Sequence, residues 1–393
     1  MNDTKLGIAV IGLGGAVGTT MVAGIELLKK GLIGREGLPL AELDSETTAP
    51  LAQYENIVVG GWDLNGDDLS AAAAEHDVLM HKQFIAIETE LSEITPWKAV
   101  SNNSFLSNIG GENIRKTASH RKTVESIRAD IREFQKHCDD LVVINLASTE
   151  KLADETAQVF SSLEKFEEAL DADSADVSPA MLYAYSAIAE RAPYGNFTPS
   201  VAADIPALIE FAEKNDVPIA GKDGKTGQTF IKTVIAPALR SRALKVEGWY
   251  STNILGNRDG LALSNEESLR SKIKTKASVL RNILGYEVED HIVDIRYYKP
   301  RGDNKEAWDN IDIKGFLGQS MQLKVNFLCK DSILAAPLAI EIARCLDLAK
   351  QTGGSGVQEQ LSVFFKLPMT KSGLPEHAFH RQEEMFFKWI IER

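Results

Sequence analysis

Apolar residues along this chain recur with two periods, and each change of period marks an element. Leu6 to Ile11 is an unbroken apolar, β-branched run, the pattern of a buried strand. It enters a glycine turn, Gly12 to Gly18 (GLGGAVG), and TTMVAGIELLKK then repeats at helical spacing until Gly31. Further strands are predicted over Asn56–Asp63, Leu141–Ala147, Val217–Ala220, Lys245–Ser251, Glu287–Tyr298 and Gln322–Cys329. Helices are predicted over Val124–Lys136, Pro179–Ala192, Ala203–Asn215, Phe230–Arg242 and Leu338–Lys350. Strands and helices in alternation are the mark of an α/β chain, whose doubly wound sheets present ligands at strand ends.

The loops between these elements hold the candidate chemistry. Strand, glycine turn and helix aim backbone N–H groups and a helix N-terminus at a pyrophosphate. Here the spacing departs from the standard fingerprint, with Val17 in place of the third glycine and Gly18 one place late. Such turns also occur without a ligand. Asp63 ends the next strand, where an acid would accept hydrogen bonds from an adenosine ribose. An insertion, Leu32 to Tyr54, separates it from the glycines, and Asp-Leu-Asn-Gly is also ordinary turn chemistry. Ser148-Thr149-Glu150 closes the strand Leu141–Ala147, and the turn-rich loop PYGNFTPS spans 193–200. Gly221 to Thr229 (GKDGKTGQT) lacks P-loop spacing, so a P-loop NTPase is rejected, but a glycine loop opening a helix can still cradle an anion.

Asn253 to Lys276 is a polar, glycine-punctuated loop that runs into a helix pattern capped by Ser264 and Glu267. Lys272 and Lys276 then share one face while Lys274 points elsewhere. Two neighbouring ammonium groups repel unless an anion lies between them, so this is either a solvated basic face or an anion site. Lys366 stands among aromatics in FFKLP, where a lysine snorkels unless a pocket needs its cation. The RGD at 301–303 has an adhesion association that a cysteine-poor chain does not support.

Composition narrows the class. With 393 residues, 44% of them hydrophobic, the chain can build two cored domains. A net charge of −13 without a long basic run argues against nucleic acid or an anionic membrane as partner. Cys138, Cys329 and Cys345 lack metal or redox spacing, and no signal-peptide pattern or membrane-length run is present, so a reduced, cytoplasmic setting is expected.

Taken in order, GLGGAVGTT, GGWDLN, ASTE, PYGNFTPS, GKDGKTGQT, ILGNRDGLALS with LRSKIKTK, RGDNKEAWD, KDSILAAPL and FFKLPM resemble the myo-inositol-1-phosphate synthase (inositol-3-phosphate synthase) family over nearly the whole chain. The chain length is similar to that of the compact prokaryotic branch. The resemblance implies a Rossmann-like NAD-binding domain, residues 1–228 plus 333–393, with an inserted α+β catalytic and oligomerisation domain, 229–332, commonly assembled as a homotetramer. It implies isomerisation of D-glucose 6-phosphate to a myo-inositol monophosphate: NAD+ takes a hydride from C5, the ketone acidifies C6, the enolate attacks the C1 aldehyde, and the hydride returns. The resemblance leaves room for a mono- or divalent cation beside NAD.

By position in the motifs, Lys272, Lys276, Lys305 and Lys366 match the family's active-site lysines. The resemblance puts Lys272 and Lys366 around the C5 oxygen, Lys305 on oxyanion charge and Lys276 on the phosphate. Asp259 and Asp331 match acidic positions that orient lysines or the nicotinamide end, or else only balance charge. Gly12, Gly14, Gly15, Ala16, Val17, Gly18, Asp63, Ala147, Ser148, Thr149, Thr198, Asp223, Thr226, Asn257, Asp259, Lys272, Asp303, Asp331 and Ser332 fall at cofactor-facing positions. None of the seven histidines lies in these motifs, and the substrate's phosphate can serve as the base. Ala16 and Val17 replace two asparagines of the eukaryotic pattern, Arg258 replaces a second asparagine in LGNRDG, and PYGNFTPS replaces an NGSPQNT type of loop.

Overall fold

The computed structural model describes residues 4–106, 110–256 and 279–392. Seven strands form a parallel sheet: β1 (Leu6–Ile11), β2 (Ile57–Asp63), β3 (Trp97–Lys98), β4 (Asp140–Asn145), β5 (Tyr194–Asn196), β6 (Pro218–Gly221) and, much later in the chain, β11 (Gly356–Val357). Their order is β11-β6-β5-β4-β1-β2-β3, every pair parallel. β1 is central and buried along its whole length, which is why its sequence is apolar throughout. Ile8 and Val10 point into a core shared with the helices Ala16–Lys29 and Asp331–Gln351. Ala9 and Ile11 point into the opposite core with the helices His120–Gln135 and Pro179–Ala189. The fold class is therefore as the family resemblance implies: α/β, with helices on both faces of a Rossmann-like sheet.

A second sheet has the order β10-β9-β7-β8, from β7 (Lys245–Leu255), β8 (Asp290–Tyr297), β9 (Asn304–Lys314) and β10 (Ser320–Lys330). Its inner face packs Val246, Trp249, Ile311 and Ile313 against Ala236 and Leu239 of the helix Gln228–Ser241.

Three features depart from the sequence pattern, the first being β5, a strand inside the stretch 193–200 read as a loop. β9 covers residues to which the sequence pattern assigns no strand, because its inward row, Ala307, Asp309, Ile311 and Ile313, is interrupted by an aspartate. The long helix starts at Asp331 rather than Leu338 and carries Pro337 inside it. That early start is possible because Asp303 accepts hydrogen bonds from the Ser332 N–H at 3.1 Å and its hydroxyl at 2.8 Å, satisfying first-turn donors. The insertion Leu32–Tyr54 is folded down onto the same helix. There the fully buried Glu341 meets the Tyr54 hydroxyl at 2.5 Å and Arg344 at 2.6 Å, while Arg344 Nε donates to the Ala52 carbonyl at 2.8 Å.

Candidate active site

A cleft opens where the strand order reverses between β1 and β4, the place a doubly wound sheet offers a ligand. Gly12 has φ +88°, and a Cβ there would lie 2.9 Å from the Ala147 backbone, so the turn and the loop after β4 close on each other only because a glycine is present. The helix Ala16–Lys29 begins without a side-chain cap, leaving first-turn N–H groups for an anion. Asp63 anchors the turn: Oδ2 accepts from Gly14 N–H and Oδ1 from Asn65 N–H, both at 2.9 Å. Gly12, Gly15, Ala16, Val17, Asp63, Ala147, Ser148, Thr149 and Thr198 all line this cleft. These groups fit a dinucleotide: uncapped N–H groups for its pyrophosphate and a carboxylate at the end of β2 for a ribose. Gly14 and Gly18 stand behind the lining, and a Cβ on Gly18 would meet the Leu13 carbonyl at 2.3 Å. Asp303 also lies behind it, holding Ser332, which does line the cleft.

The lining also includes residues to which the sequence assigns no role. His76 Nε2 is 2.9 Å from the Gly14 carbonyl oxygen, and Asn65, Asn102, Tyr183 and Ser200 complete the wall. No local motif marks His76, Asn102 or Tyr183, which come from separate loops and helices, whereas Asn65 and Ser200 close the GGWDLN and PYGNFTPS stretches. Glu150, part of the ASTE stretch, is buried at the cleft edge and accepts from Ala180 N–H at 3.0 Å. Burial pushes its carboxyl up to about 7, against the lowering effect of the Ser178 hydroxyl and the Ala180 N–H.

At the far end the cleft becomes charged. Lys366 Nζ donates to Asp223 Oδ1 at 2.7 Å, and Lys305 Nζ lies 3.3 Å from Asp331 Oδ1. Thr226 Oγ1 donates to the same Asp331 oxygen at 3.3 Å. Asp223 takes the left-handed conformation, φ 61°, and its carbonyl accepts from Lys366 N–H at 2.7 Å, so the pair is fixed by backbone as well as side chain. Asp223, Thr226, Lys305 and Lys366 also border a second compartment, with Gly227, Gln228, Thr229, Asn253, Leu255 and Ile295. The helix Gln228–Ser241 opens into it with no side-chain cap, an anion seat of the kind foreseen for the glycine loop. Thr229 Oγ1 and Asn253 Oδ1 are buried in this lining and have no hydrogen-bond partner among the described residues.

Asn257, Asp259, Lys272 and Lys276, with the capped helix read around them, lie outside the described residues. Among the described residues there is no group of three or more metal-ligating side chains, and no helix is long and apolar enough to cross a membrane.

The myo-inositol-1-phosphate synthase family model matches residues 40–390. An inositol-3-phosphate synthase of Bacteroides thetaiotaomicron is 42% identical over 98% of this chain and 93% of its own length. One from Dictyostelium discoideum is 30% identical over 95% and 82% respectively. The crystal structure of the Caenorhabditis elegans inositol-3-phosphate synthase superposes with a TM-score of 0.92 at 27% identity, covering 98% of this chain and 85% of that one. A myo-inositol-1-phosphate synthase-related protein from Thermotoga maritima gives 0.80 at 25% identity, covering 98% of both.

Proposed function

The chain belongs to the myo-inositol-1-phosphate synthase family, NAD-binding isomerases that act on glucose 6-phosphate, and from that premise we propose how its residues divide the reaction. Oxidation at C5, enolisation toward C6, closure onto C1 and reduction would take place where the dinucleotide cleft meets the anion seat. NAD, held along Gly12–Val17 and Asp63, supplies a reversible hydride acceptor. The substrate phosphate sits on the uncapped N-terminus at Gly227–Thr229, with Lys276 as a further cation. That anchorage directs the sugar toward Lys366 and Lys305. Lys366, with Lys272, works on the C5 oxygen, shuttling its proton and balancing its charge. Lys305 stabilises oxyanion charge on the enolate and at C1. Asp223 and Asp331 orient these two lysines. Cations fixed before the reaction begins, in a site that excludes water, are the strongest stabilisers of charge growing on oxygen.

The observation that carries this reading is the meeting of two lysine–carboxylate pairs, Lys366–Asp223 and Lys305–Asp331, between the two compartments. A hydride transfer alone would not call for so many cations. Phosphorus NMR of the product from glucose 6-phosphate with trace NAD+ tests it. Cyclitol phosphate with no net NADH is expected, whereas stoichiometric NADH would indicate a sugar-phosphate dehydrogenase.

We assign residues 1–228 plus 333–393 to the NAD-binding domain and 229–332 to the catalytic and oligomerisation domain. Self-association as a homotetramer is supported by exposed apolar side chains on the edge strands, Ile292 on β8 and Met321, Leu323 and Leu328 on β10. Light scattering in solution measures it. The three free cysteines fit a cytoplasmic enzyme.

A further inference from the structure

Asp309 is the polar member of an otherwise apolar inward row on β9, with Ala307, Ile311 and Ile313. A buried carboxylate is costly unless its oxygens are engaged, and these are. Oδ1 accepts from Trp249 Nε1 at 2.7 Å and from the Ser251 hydroxyl at 2.6 Å, and Oδ2 accepts from Gln228 Nε2 at 3.0 Å, a nitrogen that also reaches the Thr252 carbonyl at a longer 3.4 Å. Lys232 lies nearby, its ammonium drawn to Asp309 and 5.5 Å from the centre of the Trp249 ring.

The partners of an amide settle which end is nitrogen and which is oxygen, and a carboxylate only accepts. Gln228 must therefore turn its nitrogen to Asp309. Its oxygen then accepts from Asn253 Nδ2. Asn253 is oriented in turn, with Oδ1 left over as the buried, unpartnered acceptor in the lining of the second compartment. The bonds to Trp249 and Ser251 would suffice for a carboxylate that only tied the sheet together. The arm through Gln228 and Asn253 runs instead to the lining of the second compartment.

We propose that Asp309 is a positioning residue: through the Gln228 amide it fixes the polarity of Asn253, so that an oxygen acceptor meets a donating hydroxyl of the bound sugar phosphate. The inference rests on reading this compartment as the sugar-phosphate site.

Asp309→Asn keeps the shape and an acceptor for Trp249 and Ser251, but turns a donor toward Gln228. A donor facing Gln228 Nε2 favours reversal of both amides, at the expense of the long 3.4 Å bond from Gln228 Nε2 to the Thr252 carbonyl, and Asn253 then shows N–H groups to the sugar. KM for glucose 6-phosphate should rise about tenfold, the effect of one mismatched hydrogen bond, with kcat within about threefold. The Kd for NAD+, read by fluorescence, should stay within about twofold, because the dinucleotide cleft is untouched. Asn253→Ala should raise KM similarly, and in that background Asp309→Asn should change KM by less than about twofold, because the two act in series. Effects that multiply independently, or a normal KM in Asp309→Asn, would overturn the proposal. If Asp309→Asn fails to fold, Asn253→Ala decides alone, and a KM within about twofold of wild type overturns it. Wild-type protein that made no cyclitol phosphate would sink the functional reading itself, before any variant is compared.

Discussion

Replacing Lys366 by methionine retains much of the stem and removes the ammonium 2.7 Å from Asp223 Oδ1. The two side chains are 13% and 5% exposed, so the carboxylate left behind has little water to turn to. Breaking a buried pair costs about 3–5 kcal/mol, and a cleft open at one end puts this case near the lower figure, about 3 kcal/mol. The loop should hold, because Asp223 N–H still donates to the Thr198 carbonyl at 2.9 Å and its carbonyl still accepts from residue 366 at 2.7 Å. The catalytic loss should be larger in effect. Removing one preorganised donor to a developing oxyanion typically lowers kcat ~10²–10³-fold, about 3–4 kcal/mol, and the C5 oxygen needs its cation in both oxidation and reduction. Product formation followed by phosphorus NMR gives kcat, and NAD+ fluorescence titration reports the cofactor cleft. A fall of kcat below about a hundredth, with the NAD+ Kd within about threefold, is expected. A variant that binds NAD+ normally and turns over within about tenfold of wild type would refute the role given to Lys366.

Gly12→Ala must adopt φ +88° with a Cβ 2.9 Å from the Ala147 backbone, a strain of about 1–3 kcal/mol, and calorimetry should show NAD+ binding weakened at least about tenfold. Glu150 has its folded-state carboxyl raised from 4.5 to about 7, so its proton favours the folded form, and stability is lost as pH climbs from the lower value through the upper. Glu150→Gln cannot ionise and should gain stability relative to wild type between about pH 5 and 8, by about 3 kcal/mol at most; melting curves with a pH-independent difference would count against this. Arg344→Met strands the fully buried Glu341, and urea denaturation should show a loss of about 3–5 kcal/mol, largely restored by adding Glu341→Leu; a loss under about 1 kcal/mol would contradict the pairing.

The chain order made part of this legible in advance. β1 and its glycine turn could be read because a central parallel strand, buried on both faces, must be apolar at every position. Lys305 and Lys366 could be named from motifs, but not their pairing: Asp331 is 26 residues from Lys305, and Asp223 is 143 residues from Lys366. Only folding reveals such distances. β9 was hidden by Asp309, a carboxylate where the strand period calls for an apolar residue. The true start of the helix Asp331–Gln351 was hidden by Pro337, which reads as a boundary, while the compensating cap comes from Asp303 on another segment. Lys272 and Lys276 keep the roles given them by resemblance, outside the described residues.

β10 ends at Lys330 and the long helix begins at Asp331, with no residue between them. Asp331 and Ser332 are thereby joined to the second sheet, and Asp303 ties them to the start of β9. Pro337 follows soon after, where one internal hydrogen bond is missing and a helix bends most easily. Asp223 and Lys366 are bonded to each other, and Asp223 N–H to the Thr198 carbonyl after β5, so this pair is carried by loops at the end of the parallel sheet. Each lysine thus has its carboxylate on its own side of Pro337, and the Thr226–Asp331 hydrogen bond crosses between the sides. A rotation about Pro337 would part the cleft between two intact ion pairs, stripping neither cation of its counterion. Such a site resembles a clasp whose two halves are each electrically complete. Opening it to admit a sugar phosphate would break the Thr226–Asp331 bond and those from Lys330 Nζ to the Asp77 and Val78 carbonyls but neither ion pair, and closing it would direct both ammonium groups onto the guest.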